Sequence, residues 1–330
     1  MLQRDDLDAI IVTTPMQDHA RMSAAALRAG KHVFSEVAAA MTLDECWDLV
    51  RAVEQTGKTY MMAENCCYYR ECMMILNMVE QGLFGELTYA ECGYVHDCRF
   101  LSFKPDGSLT WRGRLHTDFI GNLYPTHAIG PIAQWMGINK TDRFTSLVAS
   151  MNRPAGHAIY AAKKLGKDHP ATKIKWRAGD SCNALIKTAN GALIEIRYDT
   201  SSTRPVESTT HYLLQGTKGA YLYDGRRIYV EGRTKGSAWE KSSRYEREFD
   251  HSLWRKWGKA ASGAGHGGAD YFTTRVFLET LRAGTKPPID VYDAVAWSSI
   301  IPLSAASIRA GGKPQPFPDF KKQGAGSERP

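Results

Sequence analysis

Residues 8–37 read DAIIVTTPMQDHARMSAAALRAGKHVFSEV. A continuous apolar run over 8–14 stops at Pro15, the pattern of a strand buried on both faces. A helix over 18–29 follows, with Gly30 at the position that takes a left-handed cap, and residues 32–35 form a second apolar strand. The same rhythm then repeats. Thr42-Leu43-Asp44-Glu45 is a capping box opening a helix that carries Cys46, Leu49, Val50 and Val53 on one face and ends at Gly57. Residues 59–63 predict a third strand, and 73–80 lie in a third helix closed by Gly82. Strands alternating with helices at this spacing predict parallel βαβ units.

From Gly85 the pattern changes to strand-like runs joined by turns: ELTYAECGYV, RFTSLVASM, CNALIKTANGALIEIRYDT with an Asn190-Gly191 hairpin turn, and HYLLQGTKGAYLYDGRRIYV. Helices are predicted near 123–136, 269–282 and 291–310, and the tail after Pro314 as an extended arm with a disordered end. The fold class is therefore α/β plus α+β. A truncated Rossmann-type parallel-sheet domain over 1–84 precedes a domain over 85–330 built on an open, mostly antiparallel sheet, the surface expected to pair copies of the chain in a homo-oligomer.

The 330 residues are 43% apolar, enough to bury a core in each part. The net charge of +7 is spread along the chain, densest over 163–175 and 226–241, and no nucleic-acid-binding motif accompanies it. Nucleic acid is not expected as a partner. The seven cysteines contain no C-x-x-C and are odd in number, so they predict reduced, partly buried thiols and no metal site. No uninterrupted apolar run reaches the roughly 18 residues of a membrane span, so no membrane contact is expected. The N-terminus shows no signal peptide. As written the chain reads as cytoplasmic, and a longer N-terminus carrying a signal would allow export.

Parallel strands place a ligand crevice at their C-terminal ends, here residues 14–19, 35–37 and 64–65. A dinucleotide site would add a strand, a G-x-G-x-x-G turn and an acidic residue about 20 positions on, and nothing before Asp8 supplies them. The only comparable run, GAGHGG at 263–268, is remote in sequence from the parallel strands. One expected outcome is therefore a truncated homologue unable to hold NAD.

The stretch 8–37 resembles the middle of the cofactor domain of the Gfo/Idh/MocA oxidoreductases. YMMAEN (60–65), GLFGELTYAECGYVHDCR (82–99), WRGRL (111–115), GNLYPTHAIGPIAQWMGI (121–138), QGTKG (215–219) and GGADYF (267–272) are similar to one branch, the glycoside hydrolase family 109 enzymes. Those are NAD-dependent α-N-acetylgalactosaminidases, in which valine replaces the superfamily lysine at the position of Val37. The resemblance implies NAD as a resident cofactor: sugar C3 is oxidised, the C2 proton becomes acidic, the glycosidic oxygen leaves, water adds and C3 is reduced again. It implies that Met16, Gln17, Asp18, His19, Glu36, Val37, Asn65 and Tyr124 line the cofactor. Tyr94, Arg112, Tyr124, Pro125, Thr126 and His127 would hold the sugar, with Tyr124 and His127 catalytic.

Residue by residue, two readings stand side by side. Tyr124 and His127 share one face of a helix's first turn and could address one ligand atom, or could cap the helix start against Pro125. His19 could be an ordinary helix-end residue. Tyr94 and His96 alternate on a strand and could touch substrate or edge the core. Arg112 could fork onto a sugar oxygen or stack on Trp111. Glu36 could bond a ribose or only backbone N–H groups, and His266 could be functional or a plain turn residue. Val206 stands where the family has a substrate-contacting tyrosine, and Ala38 where the branch has proline. The function expected is glycosidase-like cleavage of an α-N-acetylgalactosaminide or related glycoside; the alternative enzyme is an NAD(P)-dependent sugar or polyol dehydrogenase.

Overall fold

The structure, a computed structural model, describes residues 1–205 and 209–322; Val206 lies outside them. Its first part is β1 (Ala9–Val12), α1 (His19–Arg28), β2 (His32–Ser35), α2 (Leu43–Thr56), β3 (Tyr60–Met62) and α3 (Arg70–Glu80). β1, β2 and β3 form a parallel sheet in that order, with Ala9 opposite His32 and Val33 opposite Tyr60. The expected two-sided burial of β1 does not hold. Side chains alternate across a strand, and while Val12 faces the core, Ile11 is 62% exposed on the opposite face. α2 begins as the sequence predicts: Thr42 Oγ1 accepts from the Glu45 N–H at 3.2 Å and Glu45 Oε2 accepts from the Thr42 N–H at 3.0 Å. Gly57 ends it at φ 63°.

The second part runs through β4 (Leu87–Val95), α4 (Trp111–Asp118), α5 (Thr126–Trp135), β5 (Phe144–Met151), α6 (Gly156–Leu165), β6 (Ser181–Thr188), β7 (Leu193–Asp199), β8 (Thr210–Gly216), β9 (Gly219–Leu222), β10 (Arg227–Val230) and β11 (Glu240–Lys241). After these come α7 (Glu246–Phe249), α8 (Ser252–Ala261), α9 (Ala269–Ala283), α10 (Val291–Ser298), α11 (Ile300–Arg309) and β12 (Gln315–Pro316). Among the described residues these strands make one sheet, ordered β11-β10-β9-β8-β4-β7-β6-β5-β12. It is antiparallel except where β4 pairs in parallel with β7. Its inner face buries Ala184, Ile186, Ile194, Ile196 and Leu214, while Asn183, Leu185 and Lys187 of β6 point outward.

The helix expected over 291–310 is split at Ser299. Pro302 has no N–H to give the Ser298 carbonyl, so the helical ladder is interrupted there. Val291–Arg309 has the length and apolarity of a membrane-crossing helix, but Trp297, Ile300, Ile301 and Leu303 are buried within the protein. The tail after Pro314 is pinned as far as Lys322: β12 pairs with β5, and Phe317 and Phe320 are buried. All seven cysteines are buried and unpaired.

The two parts share one core. α9 and α10 return to the parallel sheet, where Phe277 stacks on Phe34 at 4.9 Å and the Met62 N–H donates to the Ile289 carbonyl at 3.3 Å. A second cluster joins Met16, Ala38 and Met41 to Leu115, Leu123, Tyr198 and Ile301, so the strand ends of the first part are clamped against the second. Thr42→Ala removes the side-chain acceptor of the α2 cap and is expected to cost about 1 kcal/mol, read as a lower denaturation midpoint; an unchanged midpoint contradicts a role for the cap in stability.

Candidate functional site

β3 delivers Glu64 to the junction of the two parts, where its side chain is fully buried. Glu64 Oε1 accepts from the Cys66 N–H at 3.1 Å and meets His127 Nδ1 at 2.8 Å. His127 lies in the first turn of α5, three residues beyond Tyr124. Two sequence features bring α5 this close. Gly130, one turn further on, faces Glu64: a Cβ there would lie 2.9 Å from Glu64 Cγ and 3.0 Å from Cys67 Sγ, so any side chain would press the carboxylate away. Pro131 has no N–H for the His127 carbonyl four residues back, and the Tyr212 hydroxyl donates to that carbonyl instead, at 2.6 Å.

A buried carboxylate needs an opposite charge. Burial pushes the Glu64 pKa up, but the nearby His127 more than offsets this, and the carboxyl stays below its ordinary value. For His127, burial pulls downward while the Glu64 carboxylate, with Cys66 adding to it, holds the imidazole well above its ordinary value. Both directions describe one ion pair. Among the described residues Glu64 Oε2 and Thr126 Oγ1 are buried without hydrogen-bond partners; the hydroxyl is near enough to favour the carboxylate yet closes no bond of ordinary geometry.

With Nδ1 committed to Glu64, the His127 ring lies against an aromatic enclosure. The His127 ring lies 5.0 Å from that of Tyr124 and 5.2 Å from that of Tyr94, and the two tyrosine rings are 5.4 Å apart. His96 is edge-on to Tyr94 at 6.0 Å. Burial raises the pKa of both Tyr94 and Tyr124, which keeps the phenols neutral. Arg112 stacks on Trp111 at 4.4 Å, and its charge reaches Tyr124 and Cys98, so stacking and facing the enclosure are compatible. Thr126 and Pro125 are buried at the helix start. Behind α4, His116 Nδ1 bonds the Arg112 carbonyl at 3.0 Å and its Nε2 meets Thr200 Oγ1 at 3.1 Å, fixing the turn that carries Arg112.

On the cofactor side the expected residues divide into three kinds. Met16 and Val37 are packed into protein, and the Val37–Ala38 peptide is cis. His19 is also buried, each ring nitrogen facing a carbonyl, of Ala38 at 2.9 Å and Thr14 at 2.8 Å, so it ties the two strand-end loops together. Gln17 and Asp18 are half-buried and Glu36 is exposed. Desolvation, and secondarily the Glu64 charge, raise the Glu36 carboxyl pKa. Asn65 donates to Asp270 at 3.0 Å, and Asp270 in turn faces His266 at 2.8 Å. The 263–268 glycine run thus adjoins the end of β3 despite its distance in sequence, although the acid at the start of α9 is unfavourable to a phosphate.

Thr14 Oγ1, Gln17 Oε1, Glu64 Oε2 and Asn65 Oδ1, all just beyond the ends of β1 and β3, are buried without partners among the described residues. Such atoms call for a polar ligand, and amide, ribose and carbinol groups suit them. The residues present therefore fit the nicotinamide half of a dinucleotide. Cys66 is the participant the residue patterns did not single out; Glu64 falls within the strand-end positions 64–65 that the parallel-sheet reading marks, though with no role assigned to it there.

Comparison with known proteins gives this geometry a family. The model described as glycosyl hydrolase 109, C-terminal domain, matches residues 68–325, and that described as oxidoreductase family, NAD-binding Rossmann fold, matches residues 1–64. A glycosyl hydrolase family 109 protein of Solibacter usitatus is 42% identical over 98% of this chain and 73% of its own length. An alpha-N-acetylgalactosaminidase of Tannerella forsythia is 38% identical over 98% of this chain and 72% of its own. Among solved structures, levoglucosan dehydrogenase in complex with NADH and levoglucosan superimposes with a TM-score of 0.76 at 19% identity, covering 96% of this chain and 82% of that one. An oxidoreductase domain protein from Kribbella flavida gives 0.75 at 18% over the same shares. The chain belongs to the glycosyl hydrolase 109 family, on a Gfo/Idh/MocA oxidoreductase fold.

Tyr212→Phe leaves the His127 carbonyl without a donor where Pro131 already denies it one. The expected cost is about 1–3 kcal/mol, seen as a lower denaturation midpoint, and a midpoint equal to that of the unaltered chain contradicts this account of α5.

Proposed function

We propose that this member of the glycosyl hydrolase 109 family cleaves an α-linked N-acetylgalactosaminide or closely related glycoside, with NAD held in the crevice between the two parts of the chain. The observation that carries the reading is the Glu64–His127 pair turned toward Tyr94 and Tyr124. Thr14, Gln17, Glu36 and Asn65 are the residues that would hold the nicotinamide side. When bound, the cofactor supplies reversible two-electron oxidation of a sugar carbinol. Tyr94, Tyr124 and Arg112 enclose and orient the sugar, Arg112 offering its fork to a ring substituent. His127, oriented by Glu64, holds a proton at the face of the sugar where hydroxyl and C2 protons move, the division of labour of a carboxylate-oriented imidazole. The phenols, kept neutral by burial, donate rather than accept at that face. No pair of carboxylates flanking a glycosidic bond is needed for this chemistry.

The test is incubation of the chain and NAD with an aryl α-N-acetylgalactosaminide in deuterated water. The expected result is release of the aryl alcohol, deuterium at C2 of the freed sugar and no accumulation of reduced cofactor. His127→Asn is expected to lower kcat/KM by roughly a hundredfold or more. Retention of the C2 hydrogen contradicts the reading. Steady accumulation of reduced cofactor with a free sugar replaces it with a sugar dehydrogenase.

A further inference from the structure

Glu64, Cys66 and His127 bring a carboxylate oxygen, a thiol sulfur and an imidazole nitrogen within 4.8 Å of one another. Glu64 and Cys66 are buried, His127 is largely so, and among the described residues the second oxygen of Glu64, Oε2, has no hydrogen-bond partner. We propose that these three side chains form a binding site for one divalent cation of the zinc class.

One sulfur, one nitrogen and one oxygen make a donor set of mixed softness, which favours zinc and its transition-metal neighbours, whereas magnesium and calcium take oxygen alone. Zinc bonds sulfur at about 2.3 Å and nitrogen or oxygen at about 2.0–2.2 Å, so tetrahedral donors stand about 3.3–3.6 Å apart. Closing the present cluster onto an ion takes movements of about 1 Å in side chains alone. Glu64 and His127, at 2.8 Å, would part slightly, and Cys66 would swing in.

Charge balance also holds. A divalent ion with one carboxylate, one thiolate and a neutral imidazole is electrically neutral, as is the carboxylate–imidazolium pair it replaces. On binding, metal–oxygen, metal–sulfur and metal–nitrogen bonds form, and the imidazolium proton and the thiol proton leave for solvent. Three protein donors leave the fourth position of a tetrahedral ion open. The ion takes the imidazole that the proposed glycosidase chemistry needs, so the site is inhibitory. Its existence does not depend on that chemistry.

The experiment is titration of the chelator-treated full chain with Co²⁺, followed by thiolate-to-cobalt charge-transfer absorption, with Zn²⁺ added afterwards to displace it. The expected result is one ion per chain, the charge-transfer band, and loss of the band on adding Zn²⁺. Cys66→Ser should abolish the band and weaken binding about tenfold or more, while Cys98→Ala, which removes a thiol that meets the Tyr94 hydroxyl and is outside the three-residue cluster, keeps both band and affinity. Absence of the band in the unaltered chain, or its survival in Cys66→Ser, overturns the proposal. X-ray absorption at the zinc edge of the unaltered chain provides a reading free of any folding defect: one sulfur among the nearest ligands supports the site, and none overturns it.

Discussion

A single buried carboxylate organises the molecule. Glu64 ends β3 with no solvent access, and an isolated charge there would cost several kcal/mol, so the chain must bring a cation to it. The cation is His127, sixty-three positions on and on a helix of the second part. Meeting that requirement explains several choices around it. Gly130 removes the side chain that would block the approach, Pro131 opens the ladder beside His127, and Tyr212 closes the gap. The electrostatic constraint therefore fixes how the antiparallel sheet and its helix seat on the parallel one, and with that where the aromatic enclosure stands.

The arrangement divides the work between the two parts. Loops after β1 and β2 are tied to each other by His19 and to the second part by the cluster around Met16, and a few polar atoms just beneath them are buried without partners among the described residues. Titratable groups suited to moving protons come from the second part: His127, Tyr124 and Tyr94, with Arg112 held in place from behind by His116. Val37, packed in the core, brings no charge to this point, and the basic group of the site is the imidazole across the junction.

Much of the fold is legible because its signals are local. The βαβ rhythm of residues 8–63, the Thr42–Glu45 box and the Asn190-Gly191 hairpin each depend on neighbours within a few positions, and each occurs as read. What depends on distant partners is not legible. Ile11 reads as buried in any strand of its composition, and it is bare because nothing among the described residues covers the face of β1 that carries it. α4, WRGRLHTD, has no apolar stripe: its place is fixed by the buried hydrogen bonds of His116 together with the packing of Leu115 and Trp111 against the second cluster. Within the site, Tyr124 and His127 are visible because they share one helical turn. Their coupling to Glu64 and Cys66 is invisible because it is made across the junction, as is the Asn65–Asp270–His266 chain.

The account turns on Glu64 and His127 acting as one unit, and a double-mutant cycle measures that directly. Denaturation free energies of the unaltered chain, Glu64→Gln, His127→Asn and the double variant give the coupling between the two side chains. A buried pair that seats the two parts on each other predicts strong non-additivity: each single substitution strands its partner, the double variant is little worse than either, and the coupling is about 2–3 kcal/mol. Additive losses, with a coupling near zero, would contradict it.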